Sequence, residues 1–141
     1  LEFRRVLFRS HIVPETMKNL EGLYDFREAV TVLKRDEIYH FTWSCDDTGS
    51  ENYHVNYGTS DSLYGPVRFE KTILQKDVQK GVLGTGHHSI CKVPGKDAYW
   101  IAYHRFGTPL AQYPEGKGFH RETCVAPLEF DEAGKMMEVI V

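Results

Sequence analysis

Apolar and polar residues alternate along most of the chain with a period of two, which is typical of half-buried β-strands. The clearest stretch is 38–44, where Tyr39, Phe41 and Trp43 fall on one face. The same alternation runs through 53–60. No stretch shows the 3.6-residue period of an amphipathic helix, so the sequence predicts an all-β fold.

Eight predicted strands fall into two groups of four, joined by turns and loops, of which 107–118 is long. The first group is 29–34, 38–44, 53–60 and 68–74, and the second is 87–93, 98–106, 119–130 and 135–141. Units of about 40–50 residues with four antiparallel strands are typical of the blades of a β-propeller. The two predicted blades start near Glu28 and His87, which are 59 positions apart. Because the first strand of each blade lines the central channel, Glu28 and His87 are expected to face one channel.

The first ten residues differ from the rest and resemble the reading-frame translation of a DNA-sequencing adapter. We predict that residues 1–10 are a non-native tail and that 11–141 is the C-terminal part of one propeller domain. The alternative is a basic N-terminal strand. The tail carries three arginines and one glutamate, so without it the net charge changes from −3 to −5.

Composition narrows the class of protein further. Hydrophobic residues make up 41% of the chain and charged residues 26%, which is typical of a folded globular domain. The acidic balance argues against nucleic acid or an anionic membrane as a partner. No apolar run approaches the roughly 20 residues of a membrane-spanning helix. Cys45, Cys91 and Cys124 are odd in number and lack C-x-x-C spacing, so we interpret them as small buried hydrophobic residues.

The stretch 84–90, Gly-Thr-Gly-His-His-Ser-Ile, holds the densest group of side chains capable of chemistry. His87 and His88 are adjacent on a predicted strand, so they point to opposite faces and do not readily bind one zinc ion together. Calcium prefers oxygen ligands, which leaves a water-mediated or single-histidine contact at His87. The alternative is one channel histidine bonded to backbone and one core histidine.

Several segments, in order, resemble the motifs of glycoside hydrolase family 43. The resemblance covers nearly everything after Leu20, and linked motifs in one order are more specific than any single motif. It departs from the family at Ala29-Val30, where Gly-Pro or Ala-Pro is frequent. The segments are Phe26-Arg27-Glu28-Ala29, Leu33-Lys34-Arg35, the strand 38–44, Tyr57-Gly58-Thr59-Ser60-Asp61-Ser62 with Gly65-Pro66, the stretch 84–90, the strand 99–105, and Gly118-Phe119-His120-Arg121-Glu122.

This resemblance implies a five-bladed β-propeller that cleaves arabinosyl, xylosyl or related linkages of carbohydrates with inversion. It makes Glu28 the general acid, places the general base and a further acid on earlier blades, and so implies that this fragment is inactive alone. It also places His87 near a calcium or other ion in the channel and Arg121 against the bound sugar. The chemistry itself needs no cofactor, and an extracellular or periplasmic location is implied.

Each candidate residue also has a structural interpretation. A general acid must stay protonated near neutral pH, so burial or a nearby negative charge is expected to raise the pKa of Glu28. The alternative is a surface glutamate paired with Arg27. Trp43 and His88 are candidate substrate contacts, but aromatic residues at strand spacing also fit a core between blades. A non-catalytic carbohydrate-binding or scaffold propeller remains the second functional hypothesis, and the oligomeric state is open.

Overall fold

The computed structural model describes residues 14–108, 112 and 119–141, and β-strands dominate its regular structure. The predicted tail 1–10 and Gly118 of the last motif lie outside the described residues. No described helix is long and apolar enough to cross a bilayer. After a 3-10 turn at Pro14–Thr16 come β1 (Phe26–Arg35), β2 (Ile38–Cys45), β3 (His54–Ser60), β4 (Arg68–Leu74), β5 (Gly86–Lys92), β6 (Tyr99–Phe106) and β7 (Arg121–Leu128).

The strands form two antiparallel sheets that follow the order of the sequence. The first sheet has the order β1-β2-β3-β4 and the second has the order β5-β6-β7. The all-β prediction is confirmed, and seven predicted strands agree with the observed bounds to within three residues. The predicted blade starts fall in β1 and β5, the first strand of each sheet.

The predicted eighth strand, 135–141, is wrong. Phe130 and Met136 form an isolated bridge, after which the chain crosses to the first sheet, where the Val139 N–H donates to the Ile73 carbonyl over 2.7 Å. Met136 and Val139 are buried. Their spacing of three residues suits a segment that fills the space between the sheets, whereas a strand would alternate every second residue.

Pro127 does not interrupt the seventh strand as predicted. It lies within β7 and is the Cα partner of Trp100 in β6. Among the described residues β7 is the outer strand of its sheet. A proline lacks the backbone N–H, and an outer strand can accommodate it because one edge needs no ladder partner.

Both first strands carry an irregularity at the equivalent point. The pairing of β1 with β2 shifts on either side of Glu28, and the pairing of β5 with β6 shifts between Gly86 and Ser89. Ala29 and His87 adopt left-handed backbone angles there, with φ of 58° and 46°. Bulges of this kind re-aim side chains. The two irregularities therefore set the directions of the Glu28 and His87 side chains, which mark the starts of the two blades.

The main core lies between the two sheets. A second core covers the opposite face of the first sheet, where Phe41, Trp43 and Val67 pack beneath Leu20 and Leu23. The main core consists of Val55, Tyr57, Ile73 and Leu74 from the first sheet, Tyr99, Ile101, Tyr103, Ala126 and Leu128 from the second, and Met136 and Val139.

The three cysteines are free and differ in burial. Cys45 is buried as predicted, Cys124 is partly buried, and Cys91 is exposed. The burial prediction is therefore wrong for Cys91. Cys91 lies in β5 directly opposite Trp100, whose side chain is also exposed, because both point away from the core between the sheets.

Candidate active site

Glu28 lies where β1 of the first sheet approaches β5 of the second. The Tyr53 hydroxyl donates a hydrogen bond to its Oε1 over 2.7 Å. His87 Nδ1 lies 3.6 Å from the same oxygen, and the Glu28 side chain is 39% exposed. The structure thus brings Glu28 and His87 together, as the repeat predicts, and adds Tyr53 to them.

Arg27 is not the partner of Glu28. Its Nη2 lies 3.3 Å from Asp47 Oδ2, and both side chains of that pair are exposed. Exposed pairs of this kind contribute little to stability. Glu28 is instead bound by a buried phenol, so the interpretation of Glu28 as a surface partner of Arg27 is wrong.

The pKa of Glu28 departs from the expected direction. The Tyr53 hydroxyl lowers it by bonding to the carboxylate, and this outweighs the opposing effect of burial. His87 and Arg27 lower it further. The described residues therefore favour the ionised form of Glu28, whereas a general acid needs a raised pKa.

His104 of β6 joins this group through ring contacts. Its ring stacks on Tyr53 with centroids 5.6 Å apart and on His87 with centroids 5.9 Å apart. Arg121 Nη1 lies 2.6 Å from His104 Nε2, and because a guanidinium only donates, Nε2 must accept. Burial, followed by the Arg121 charge, lowers the pKa of His104 to about 4, which keeps the ring neutral.

Arg121 is fixed from both sheets. Its Nη2 donates to the Thr48 carbonyl of the first sheet's loop over 2.5 Å. Its guanidinium also lies 5.7 Å from the centroid of the Phe106 ring. Arg121 is thereby held beside the stacked rings of Tyr53, His104 and His87. Through His104 it is connected to the residues that contact Glu28.

The two glycines before His87 make room for aromatic rings. A Cβ at Gly86 would lie 2.3 Å from a ring carbon of Tyr53, and one at Gly84 would lie 2.4 Å from the Phe106 ring. Gly84 also has a φ of 62°. The motif that stood out in the sequence thus lets Tyr53 approach Glu28.

Two predicted substrate contacts lie inside the protein. Trp43 is fully buried and donates its indole N–H to the Tyr24 carbonyl over 2.8 Å. His88 is 6% exposed, and its Nε2 lies 2.6 Å from Thr42 Oγ1. Their strand positions point them into the cores, so neither ring offers a free face to a sugar.

No sequence pattern predicted Tyr53 or His104 as part of the site. The alternation over 53–60 places Tyr53 only in a predicted strand, and His104 falls within the predicted strand 98–106. The useful signal is strand register, since His104 is the Cα partner of Gly86, next to His87. That pairing cannot be predicted without the one-residue register shift between Gly86 and Ser89 in β5.

One group of potential metal ligands lies apart from Glu28. Ligand atoms of Asp25, Cys45 and His54 lie within 4.8 Å of one another. Burial, followed by the charge of Asp25, raises the pKa of the Cys45 thiol to about 12, which disfavours the thiolate that a metal binds. Across 14–108, 112 and 119–141, His87 belongs to no group of three or more His, Cys, Asp and Glu side chains whose ligand atoms lie this close together. The calcium contact of His87 remains a prediction.

Burial of His88 predicts acid sensitivity. Burial, followed by the charge of His87, lowers the pKa of His88 to about 4. An unfolded histidine has a pKa of about 6.5, so below that pH the unfolded chain binds protons that the folded chain does not. The contribution of neutral His88 to the free energy of unfolding is therefore fully present above about pH 6.5 and declines as the pH falls towards about 4.

We expect His88→Gln to remove only part of this decline, because burial also lowers the pKa of His104 and of His40. Melting temperature measured in steps from neutral to acid pH tests the expectation. The less buried His54 provides the control as His54→Gln. An equally steep decline in His88→Gln and the parent chain would contradict it.

Two neighbouring antiparallel sheets, with the Glu28 carboxylate between their first strands, are typical of adjacent blades of a β-propeller. Residues 9–136 match the sequence model of Glycosyl hydrolases family 43, and the chain belongs to that family.

Relatives agree in both sequence and structure. The chain is 35% identical over 132 residues to Beta-D-galactofuranosidase xynD of Aspergillus niger, covering 89% of this chain and 37% of that protein. It is 31% identical over 115 residues to a Xylosidase/arabinosidase of Bacteroides ovatus, covering 81% and 30%. A thermostable family-43 glycoside hydrolase of known structure aligns with a TM-score of 0.69 and 26% identity, over 81% of this chain and 35% of that one. The chain spans about a third of the length of these proteins.

Proposed function

We propose that the complete protein hydrolyses O-glycosidic bonds of plant-type polysaccharides or oligosaccharides with inversion, and that Glu28 is its general acid. The observation that carries this proposal is the part-exposed Glu28 carboxylate, held by Tyr53 beside His87 at the junction of two blades. The names of the relatives, which include a xylosidase/arabinosidase and a galactofuranosidase, support pentosyl or related furanosyl substrates. Polysaccharides do not cross membranes readily, so we place the protein outside the cell or in the periplasm.

Inversion requires two carboxyl groups about 6.5–9.5 Å apart. Glu28 would give its proton to the glycosidic oxygen as the bond to the sugar breaks. A second carboxylate would take a proton from water, whose oxygen bonds to the sugar from the opposite face. We place this base and a further acid on preceding blades, and their negative charges would raise the pKa of Glu28 against the effect of Tyr53.

Arg121 is proposed to contact the sugar at the cleavage point. A guanidinium has five N–H donors, and the described bonds use one from each Nη nitrogen. The remaining donors can bind sugar hydroxyls. A calcium ion that contacted His87 through water would have a structural role in the channel. It would have no part in proton transfer, because carboxyl groups make both transfers.

One observation favours a second function, a non-catalytic carbohydrate-binding propeller. The described residues lower the pKa of Glu28, and an ionised carboxylate accepts hydrogen bonds from sugar hydroxyls without transferring a proton. Such a protein would bind the same sugars as the enzyme but would not release a product.

A panel of 4-nitrophenyl glycosides with the complete protein tests the proposal. We expect turnover of an arabinofuranoside or a xyloside, and proton NMR of the first product should show the inverted anomer. The isolated 141-residue chain is expected to show no turnover, because we place the base on a preceding blade. A retained anomer would exclude the mechanism, and sugar binding without turnover would favour the binding propeller.

A further inference from the structure

We propose that Tyr53 is a positioning residue that determines which oxygen of Glu28 carries the catalytic proton. The hydroxyl of Tyr53 occupies Oε1, so the transferred proton is held on Oε2. This inference rests on the proposed role of Glu28 as general acid.

The described polar contacts of the Glu28 carboxylate are made to one of its two oxygens, Oε1. Tyr53 donates to Oε1 over 2.7 Å, and His87 Nδ1 approaches the same oxygen to 3.6 Å. Among the described residues, the polar contacts found at this carboxylate both reach Oε1. In a protonated carboxyl the carbonyl oxygen is a better acceptor than the hydroxyl oxygen, so the bond from Tyr53 to Oε1 favours the carboxyl proton on Oε2.

Tyr53 remains a donor throughout the working range of pH. Its side chain is fully buried, and burial, as the largest cause, raises the pKa of the phenol to about 12. The phenol therefore keeps its proton when Glu28 is ionised and after the proton transfer. The same hydrogen bond can orient the carboxyl through the whole reaction.

The surrounding residues hold the phenol in one place. Its ring lies against the Cα of Gly86, where a Cβ would come within 2.3 Å of a ring carbon. The ring also stacks on His104, which in turn is bound by Arg121. The Tyr53 N–H donates to the Ser50 carbonyl over 3.2 Å. A tyrosine packed on all these sides can fix the rotamer of the carboxyl that it binds.

Tyr53→Phe in the complete protein separates this role from packing, because it keeps the ring and removes the hydroxyl. We expect kcat to fall about ten- to a hundredfold on glycosides with poor leaving groups, which need a well-placed proton. The loss should be small on 2,4-dinitrophenyl glycosides, whose leaving group departs without protonation. The alkaline limb of kcat/KM should move to higher pH, because the bond that lowers the pKa of Glu28 is gone.

Tyr57→Phe is the matched control. Tyr57 is another fully buried tyrosine, and its hydroxyl lies 2.7 Å from His40 Nδ1, away from Glu28. It should change neither the leaving-group dependence nor the pH limb. Equal losses on both substrate classes in Tyr53→Phe, with an unmoved limb, would overturn the proposal and leave Tyr53 a packing role.

Two further variants keep the outcome decisive. If Tyr53→Phe does not fold, 3,5-difluorotyrosine at position 53 keeps the ring and makes the hydroxyl a stronger donor. The alkaline limb should then move to lower pH, and an unmoved limb would refute the role. If Glu28→Gln itself shows no leaving-group dependence, the general-acid proposal fails. If Glu28→Gln shows that dependence and the Tyr53 variants do not, only this inference fails.

Discussion

Glu28→Gln in the complete protein is expected to reduce kcat about 10²–10⁴-fold on glycosides with poor leaving groups. The amide has the shape of the carboxyl and can still accept from the Tyr53 hydroxyl, so the fold should be retained. It cannot supply an acidic proton, and the alkaline limb of the pH profile should disappear with it. Steady-state kinetics against pH on aryl glycosides with a range of leaving groups measures both effects.

Glu37→Gln is the control for this substitution. Glu37 lies in the exposed turn between β1 and β2 and forms an ion pair with Lys34 over 2.8 Å. Its removal should leave kcat unchanged and change stability little, because exposed ion pairs contribute little to stability. Turnover by Glu28→Gln equal to that of the parent protein would exclude Glu28 as the general acid and direct attention to a carboxylate on another blade.

The strands could be predicted because alternation depends on local sequence. Residues at 39, 41 and 43 point to one face whatever packs on it, so the period of two locates β2 without tertiary information. The strand predicted over 135–141 is absent for the converse reason. Its apolar residues at 136 and 139 follow the shape of a space between two sheets, and local sequence does not describe that shape.

The part of the site that could be predicted from the sequence is the pair of residues at equivalent positions of the repeat. The equivalent positions of Glu28 and His87 in two units were enough to place them together. Tyr53 joins them through a hydrogen bond to Glu28, and His104 joins them through ring contacts and the register shift in β5, none of which a local pattern encodes. The direction of the pKa shift of Glu28 depends on the hydrogen bond from Tyr53, so the sequence could not predict it either.

Trp43→Ala is expected to have the largest effect on stability among core substitutions of the first sheet. Trp43 is fully buried with Phe41 and Val67, and its ring makes an edge contact with Phe69 at 6.4 Å. Replacing a buried tryptophan by alanine costs about 3–5 kcal/mol, mainly through the cavity that remains. The Tyr24 carbonyl would keep a donor in Asn56 Nδ2 at 3.3 Å, so the cavity dominates the loss. Urea unfolding of the 141-residue chain, followed by far-UV circular dichroism, measures the change.

The same variant decides between the two interpretations of Trp43. A core tryptophan changes the unfolding midpoint, whereas a sugar contact changes KM in a protein of unaltered stability. Trp100→Ala is the matched control in this chain, because Trp100 is 40% exposed on the outer face of the second sheet and should cost less than about 1 kcal/mol. Since most native domains are stable by only about 5–15 kcal/mol, a loss of 3–5 kcal/mol would leave Trp43→Ala close to unfolding. An unchanged midpoint together with a raised KM in the complete protein would return Trp43 to the substrate site.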